Sequence, residues 1–273
     1  MSDHDALRTI NTVATWTPPS MIRFRALRVI LLVLAVAYTV IAVNSIEVRW
    51  ERLVLGMERA QRFFAGFAPP DFTTRGSVIR EGILESLTMT VVSTLFGILV
   101  SIPIALGAAR NIAHPIVYGL CRGIITVSRT FQEVIIAILF VVMFGFGPFA
   151  GVMTLTFSSI GFLAKLLAED IEEIDPAQLE AIRSTGAGWL QTVSFAIQPQ
   201  VMPRLVGLSL YRLDINFRES AVIGIVGAGG IGAALNASFS RYEYDISAAI
   251  LLLIIGIVLV AEHLSGVIRK RVA

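Results

Sequence analysis

Six stretches of this chain are long and apolar enough to cross a bilayer: residues 27–47, 80–108, 115–146, 149–172, 199–226 and 246–268. A helix rises 1.5 Å per residue, so about 20 apolar residues cover a hydrocarbon core of about 30 Å. Lipid offers the backbone no hydrogen-bond partner, so each run must satisfy its own amides by folding as a helix. The expectation is an all-α membrane protein with about six transmembrane helices. Composition agrees: 55% of residues are hydrophobic and 15% are charged, against about 25% charged in an ordinary soluble protein. So apolar a chain is not a disordered segment. One cysteine, Cys121, excludes a disulfide scaffold and reads as a packing residue. A net charge of +2 gives no reason to expect nucleic acid as a partner. The 115–146 stretch exceeds one straight span and contains Arg122, Arg129 and Glu133, so a broken or strongly tilted helix is expected there.

The first apolar run follows Arg23, Arg25 and Arg28 and is longer than the core of a secretory signal, so it reads as a retained helix. Arg269, Lys270 and Arg271 close the chain. An even number of spans with basic residues at both ends places both termini in the cytoplasm. The organisation expected is a cytoplasmic tail over 1–26, a first helix with an outer interfacial segment over 27–79, a core over 80–268 and a short cytoplasmic tail over 269–273. Within the outer segment, arginines alternate with Leu55, Met57, Phe63, Phe64 and Phe67 before Pro69-Pro70. That pattern predicts an amphipathic helix lying in the interface. Gly119-x-x-x-Gly123 predicts a close helix approach, and Pro103 a kink in the second span.

The connection 173–198 carries the most specific local chemistry. Asp175 suits an N-cap, Pro176 the first helical position and Gln178 the capping-box position, and Gly186 can adopt the left-handed conformation that ends a helix. A short helix capped at both ends presents a rigid knob outside the bilayer. Glu180-Ala181-Ile182, then Gly186, then Pro199 resembles the EAA loop of ABC importer permeases, in which Glu-Ala-Ala precedes Gly and a distal Ile-x-Leu-Pro. Ile182, Ala196 and Gln198 depart from that pattern. Residues 87–111, 141–175 and 216–232 look like core segments of the phosphonate-type permeases, whereas residues 1–79 match only loosely. Gln132 stands where that family often has proline.

The resemblance implies an ABC importer permease core of the methionine/phosphonate type with one extra N-terminal helix, in a bacterial cell membrane. It implies Glu180, Ala181, Gly186 and Pro199 as the ATPase-coupling residues. The partners implied are a second copy of the permease, two ABC ATPase subunits and an extracytoplasmic substrate-binding protein. ATP and Mg would be bound by the partner ATPase, with no cofactor in this chain. The substrate expected is phosphonate or a related oxyanion such as phosphite or phosphate. A permease for another solute such as methionine, an ion-driven secondary transporter, or a nicotinamide-using membrane oxidoreductase are the alternatives.

Gly227-x-Gly229-x-x-Gly232 matches a dinucleotide fingerprint, but that site needs a βαβ unit around it. Here the glycines end one span and precede another. Gly227, Gly229 and Gly230 are candidates for a gate that changes shape between inward-open and outward-open states, with plain packing as the alternative. Asn216 belongs to the same candidate path. Charges inside spans, here Arg129 and Glu133 in the third and Arg212, Asp214, Arg218 and Glu219 in the fifth, mark a partner or a wet path. Arg129 with Glu133, and Asp214 with Arg218, are four residues apart and predicted to pair on one helix face. Arg129 and Arg218 are candidates to line an anion path, because a guanidinium can bond two oxygens of an oxyanion. The sequence has no G-x-x-x-x-G-K-[ST] motif for ATP hydrolysis, no metal-ligand cluster among His4, His114 and His263, and no catalytic triad pattern.

Overall fold

A computed structural model describes residues 24–45 and 50–272. The basic tail before Phe24, including Arg23, lies outside the described residues. The described residues up to Ala60 form one compact unit and those from Gln61 onward another. The first unit contains α1 (Arg25–Ser45) and the greater part of α2 (Trp50–Ala65). α1 is apolar around its circumference and exposed along its length, as a helix surrounded by lipid must be. Its Thr39 and Ser45 hydroxyls donate to the carbonyls of Ala35 and Ala42, which removes the cost of a bare hydroxyl in hydrocarbon.

The second unit begins with the end of α2, where Phe63 and Phe67 gather with Phe239 and Tyr244 into an aromatic cluster. The helices that follow are α3 (Gly76–Ala108), α4 (Pro115–Thr130), α5 (Glu133–Phe144) and α6 (Pro148–Glu172). Then come α7 (Pro176–Ser184), α8 (Trp189–Thr192), a π-helical turn (Val193–Ile197), α9 (Gln198–Ile225), α10 (Gly230–Ser240) and α11 (Tyr244–Val272). Among the described residues, five helical stretches are long and apolar enough to span a membrane, or six when α4 and α5 count as one broken span. Exposed side chains such as Leu84, Val91, Leu95, Leu99, Leu252 and Leu259 leave an apolar outer surface suited to lipid.

The expected break in the third span is present. α4 and α5 meet at 95° because Phe131 and Gln132 both adopt extended backbone. Gln132 is the N-cap of α5, and its carbonyl accepts from Ile135 and Ile136 to start the new helix. The helix therefore breaks here with glutamine where proline stands in the family pattern.

α3 and α6 form the central pair, and small residues set their separation. A Cβ on Gly97 would lie 2.5 Å from Ser159 Cβ, and Gly151 sits against Met89. Gly107 closes on Cys121, which confirms the thiol as a packing group, and Gly161 closes on Ser128. Gly119 and Gly123, the motif picked out by spacing, have nothing within 4 Å of an added Cβ. Close approach in this chain is thus made by other glycines. Pro103 and Pro203 are both carried inside long helices, α3 and α9.

Three apolar clusters hold the second unit together. One lies at the α7 end and joins Ala105, Ala108, Ile125, Leu167, Ile171, Leu179, Ala196 and Ile197. The second joins Met89, Ala137, Val141, Leu155 and Ile223, and the third packs Ile79 and Ile231 with Ile246 and Ile250 of α11.

Candidate coupling loop and translocation path

Local chemistry builds α7 largely as its residues dictate. Asp175 Oδ1 accepts from Ala177 N at 2.9 Å, Pro176 opens the helix, and Gly186 leaves it with φ +80°. The capping box differs from expectation. Asp175 N donates to Oε1 of Gln200, 25 residues further on, and among the described residues Gln178 makes no such bond. Leu179 is buried and Ile182 half-buried against the apolar cluster, while Glu180 and Ala181 face outward. Gly186 has open space around it.

The rest of the connection is helical rather than loop. α8 starts after Gly188, whose N–H donates to Gln191 Oε1, and runs through the π turn into α9. Pro199 lies in the first turn of α9, exposed, on a different helix from Glu180 and Ala181.

Gly227, Gly229 and Gly230 form the turn between α9 and α10, all at positive φ (+101°, +80° and +72°). A Cβ on Gly229 would lie 2.8 Å from the backbone nitrogen of Pro148. Gly230 N donates to Glu85 Oε2 and Ile231 N to Ser86 Oγ, both at 2.9 Å, so α3 caps α10. Gly147 N donates to Gly227 O, which ties the start of α6 to the same turn. Four helices, α3, α6, α9 and α10, therefore meet at these glycines.

The middle of α9 carries a buried polar hub. Arg212 has 3% of its side chain exposed. Its guanidinium donates to Ser159 Oγ at 2.9 Å, Ser158 Oγ at 2.8 Å and Glu219 Oε2 at 3.1 Å, and lies over the Phe162 ring. Ser158 also donates to Glu133 Oε1 at 2.8 Å. Asn216, fully buried, donates to Thr94 Oγ1 at 2.8 Å and Ser159 Oγ at 3.0 Å. The hub joins α3, α5, α6 and α9, and every polar group in it has a partner, as burial requires.

The candidate charges separate. Arg218 pairs with Asp214 as the spacing predicts, and its side chain is 56% exposed. Arg129 does not pair with Glu133: the 95° break carries Glu133 into the hub, and Arg129 stays exposed with no ion pair among the described residues. Asn216 is in the hub, the three glycines share one turn, and Arg129 joins neither. Ser158 and Ser159 are missing from the sequence-derived candidates, and Arg212 stands there only as one of the charges inside spans, without a partner. The signal for that partner was the spacing of Arg212 and Glu219, seven apart and so on one face of a helix, two turns from each other.

Helices that are apolar on the outside and polar where they meet, with a rigid knob mounted at one end, are the build of a membrane transport component. The chain belongs to the family described as the binding-protein-dependent transport system inner membrane component, whose model matches residues 97–273. It is similar to the phosphite transport system permease protein PtxC of Stutzerimonas stutzeri, 41% identical over 203 residues and 74% of each chain. It is also similar to the phosphate-import permease protein PhnE of Mycolicibacterium smegmatis, 46% identical over 209 residues. That match covers 76% of this chain, which spans only 39% of the length of that relative. Among solved structures, an inward-facing MetNI methionine ABC transporter shares the fold, with TM-score 0.63 and 24% identity over 74% of this chain and 99% of the other.

Proposed function

We propose that this chain is the membrane permease of an ATP-driven importer for phosphonate, phosphite or phosphate. Two copies form the path, two ABC ATPase subunits bind ATP and Mg on the cytoplasmic side, and an extracytoplasmic binding protein delivers the substrate. α7 is the contact with the ATPase. The observation that carries this reading is α7 itself: its outer face is free, and its inner face sits on the cluster that joins α6 to α9. Force applied to Glu180 and Ala181 therefore reaches two spanning helices directly. Both chain termini lie in the cytoplasm.

The oxyanion assignment draws on the relatives, which carry phosphite and phosphate in their names at 41–46% identity. A methionine permease relative from Vibrio cholerae is 28% identical over 195 residues. Arg218, half exposed, and Arg129, exposed and unpaired among the described residues, supply guanidinium groups for an anion path. The glycine turn is the gate: positive φ at three positions lets it reshape without a side chain in the way.

The test is uptake into vesicles carrying the full complex, with radiolabelled phosphate, phosphite and methylphosphonate, each challenged by unlabelled competitors and by methionine. Mutual competition among the oxyanions with no effect of methionine is expected. Uptake blocked by methionine and indifferent to all three oxyanions overturns the substrate assignment.

A further inference from the structure

We infer that Gln200 is a positioning residue for energy coupling: its side-chain amide latches the amino end of α7 onto α9. The inference rests on the reading of α7 as the ATPase contact and adds the link by which its motion enters the spanning helix.

Two hydrogen bonds define the latch. Gln200 Oε1 accepts from Asp175 N at 3.1 Å, and Gln200 Nε2 donates to Ala196 O at 2.7 Å. The backbone N–H can only donate and the carbonyl can only accept, so a single orientation of the amide satisfies both. Asp175 is the N-cap of α7. Its own N–H is the group that a capping box normally satisfies from within the same helix. Here α9 supplies the acceptor instead, so the start of α7 is completed by the helix it is meant to move.

The other end of the latch lies in the π turn, where Gln198 N donates to Val193 O across five residues. A single π turn inside a longer helix is a site of altered register. Pro199 has no N–H to give the turn, which removes one of the bonds that would hold an α register. Gln200 thus ties the α7 cap to a carbonyl of the least regular turn in the rod from Trp189 to Ile225.

The covalent path completes the linkage. Only residues 173–175 separate α6 from α7, so the amino end of α7 is already bound closely to α6. Gln200 binds the same point to α9. With the latch closed, a displacement of α7 must move α6 and α9 together. With it open, only the apolar seat of Leu179 and Ile182 links α7 to α9, and a pivot on that seat passes less of the displacement to α9.

The experiment uses the full complex, permease with its ATPase and binding protein, in proteoliposomes. Radiolabelled phosphate, phosphite or methylphosphonate taken up is measured against ATP hydrolysed. Gln200→Leu removes both bonds, and Gln200→Glu keeps an acceptor for Asp175 N but loses the donor to Ala196 O. Loss of two ordinary hydrogen bonds sets a fall of roughly tenfold in uptake per ATP for Gln200→Leu. A smaller fall is expected for Gln200→Glu, and the ATPase should stay bound in both. Hydrogen exchange at the Asp175 amide should quicken in Gln200→Leu and not in Gln200→Glu. A wild-type uptake-to-hydrolysis ratio in Gln200→Leu overturns the latch and leaves the permease reading standing. Loss of the ATPase from Gln200→Leu also overturns it, because Gln200 would then serve docking. An ATPase absent from the wild-type complex overturns the permease reading and the latch together.

Discussion

Arg212 is the residue whose replacement should expose the energetic logic of the membrane core. Arg212→Met keeps most of the side-chain volume and removes three charge-assisted hydrogen bonds, to Ser158, Ser159 and Glu219. Glu219, with 22% of its side chain exposed, then loses its cation inside the helix bundle. Removing one partner from a buried pair costs about 3–5 kcal/mol, and the partial exposure of Glu219 places this case near the lower end, at about 3 kcal/mol. Glu219→Gln leaves Arg212 with the two serine hydroxyls and should cost about 2 kcal/mol. The double variant Arg212→Met/Glu219→Gln strands neither member of the pair and leaves only Glu133, bonded to Ser158, without the nearby guanidinium. It should therefore be less destabilised than the sum, by about 1–3 kcal/mol. The assay is unfolding of the detergent-solubilised permease, single and double variants side by side. A double variant whose loss equals the sum of the singles would show that the two groups do not act as a pair, and the hub would need another explanation.

The glycine turn gives a second outcome. Gly229→Val places a side chain against the Pro148 backbone at φ +80°, so it should abolish uptake while the ATPase stays bound, and normal uptake refutes the gate. Gly232→Ala drives a methyl into the Ala221 carbonyl and should destabilise the permease by about 1–3 kcal/mol, read as a lowered melting temperature, whereas Gly119→Ala, in open space within α4, should leave it unchanged or raise it slightly. Arg218→Ala should reduce uptake more than ATP hydrolysis; equal reductions would assign Arg218 to structure. Asp71, in the connection before α3, has its carboxyl held well below the usual carboxylate range by hydrogen bonds from Thr74 and Thr73. A lowered folded pKa contributes stability above the unfolded value of about 3.9 and loses it only as pH falls through the folded value. Between pH 5 and 8, by this reasoning, the difference in melting temperature between wild type and Asp71→Asn should be constant; a difference that shrinks across that window contradicts it.

The spanning helices and the caps of α7 were legible because their causes are local. A run of apolar residues needs no partner to declare itself, and Asp175-Pro176 with Gly186 encodes its own helix ends. The hub was not legible because its contacts are remote: Asn216 meets Thr94 across 122 residues, and Arg212 meets Ser159 across 53. Arg129 and Glu133 show how a spacing rule fails. Four residues place two side chains together only while the helix continues, and it stops at Phe131. The Gly119-x-x-x-Gly123 spacing failed for a related reason, since close approach depends on what faces a glycine; Gly97, Gly107 and Gly161 face Ser159, Cys121 and Ser128. Gln200 carried no signal because its partner, the Asp175 backbone N–H, is a group that every residue type except proline has.

Copurification tests the central claim most directly. The tagged chain, coexpressed with the genes beside its own and solubilised gently, should retain a Walker-motif ATPase. The variant Glu180→Lys/Gly186→Trp, altered only on and after α7, should lose it while the chain stays folded, with a melting temperature lowered only by the strain of a tryptophan at φ +80°. An ATPase that binds both forms equally would remove α7 as the contact. A folded wild-type chain that retains no ATPase would contradict ATP-driven import and favour transport driven by ions.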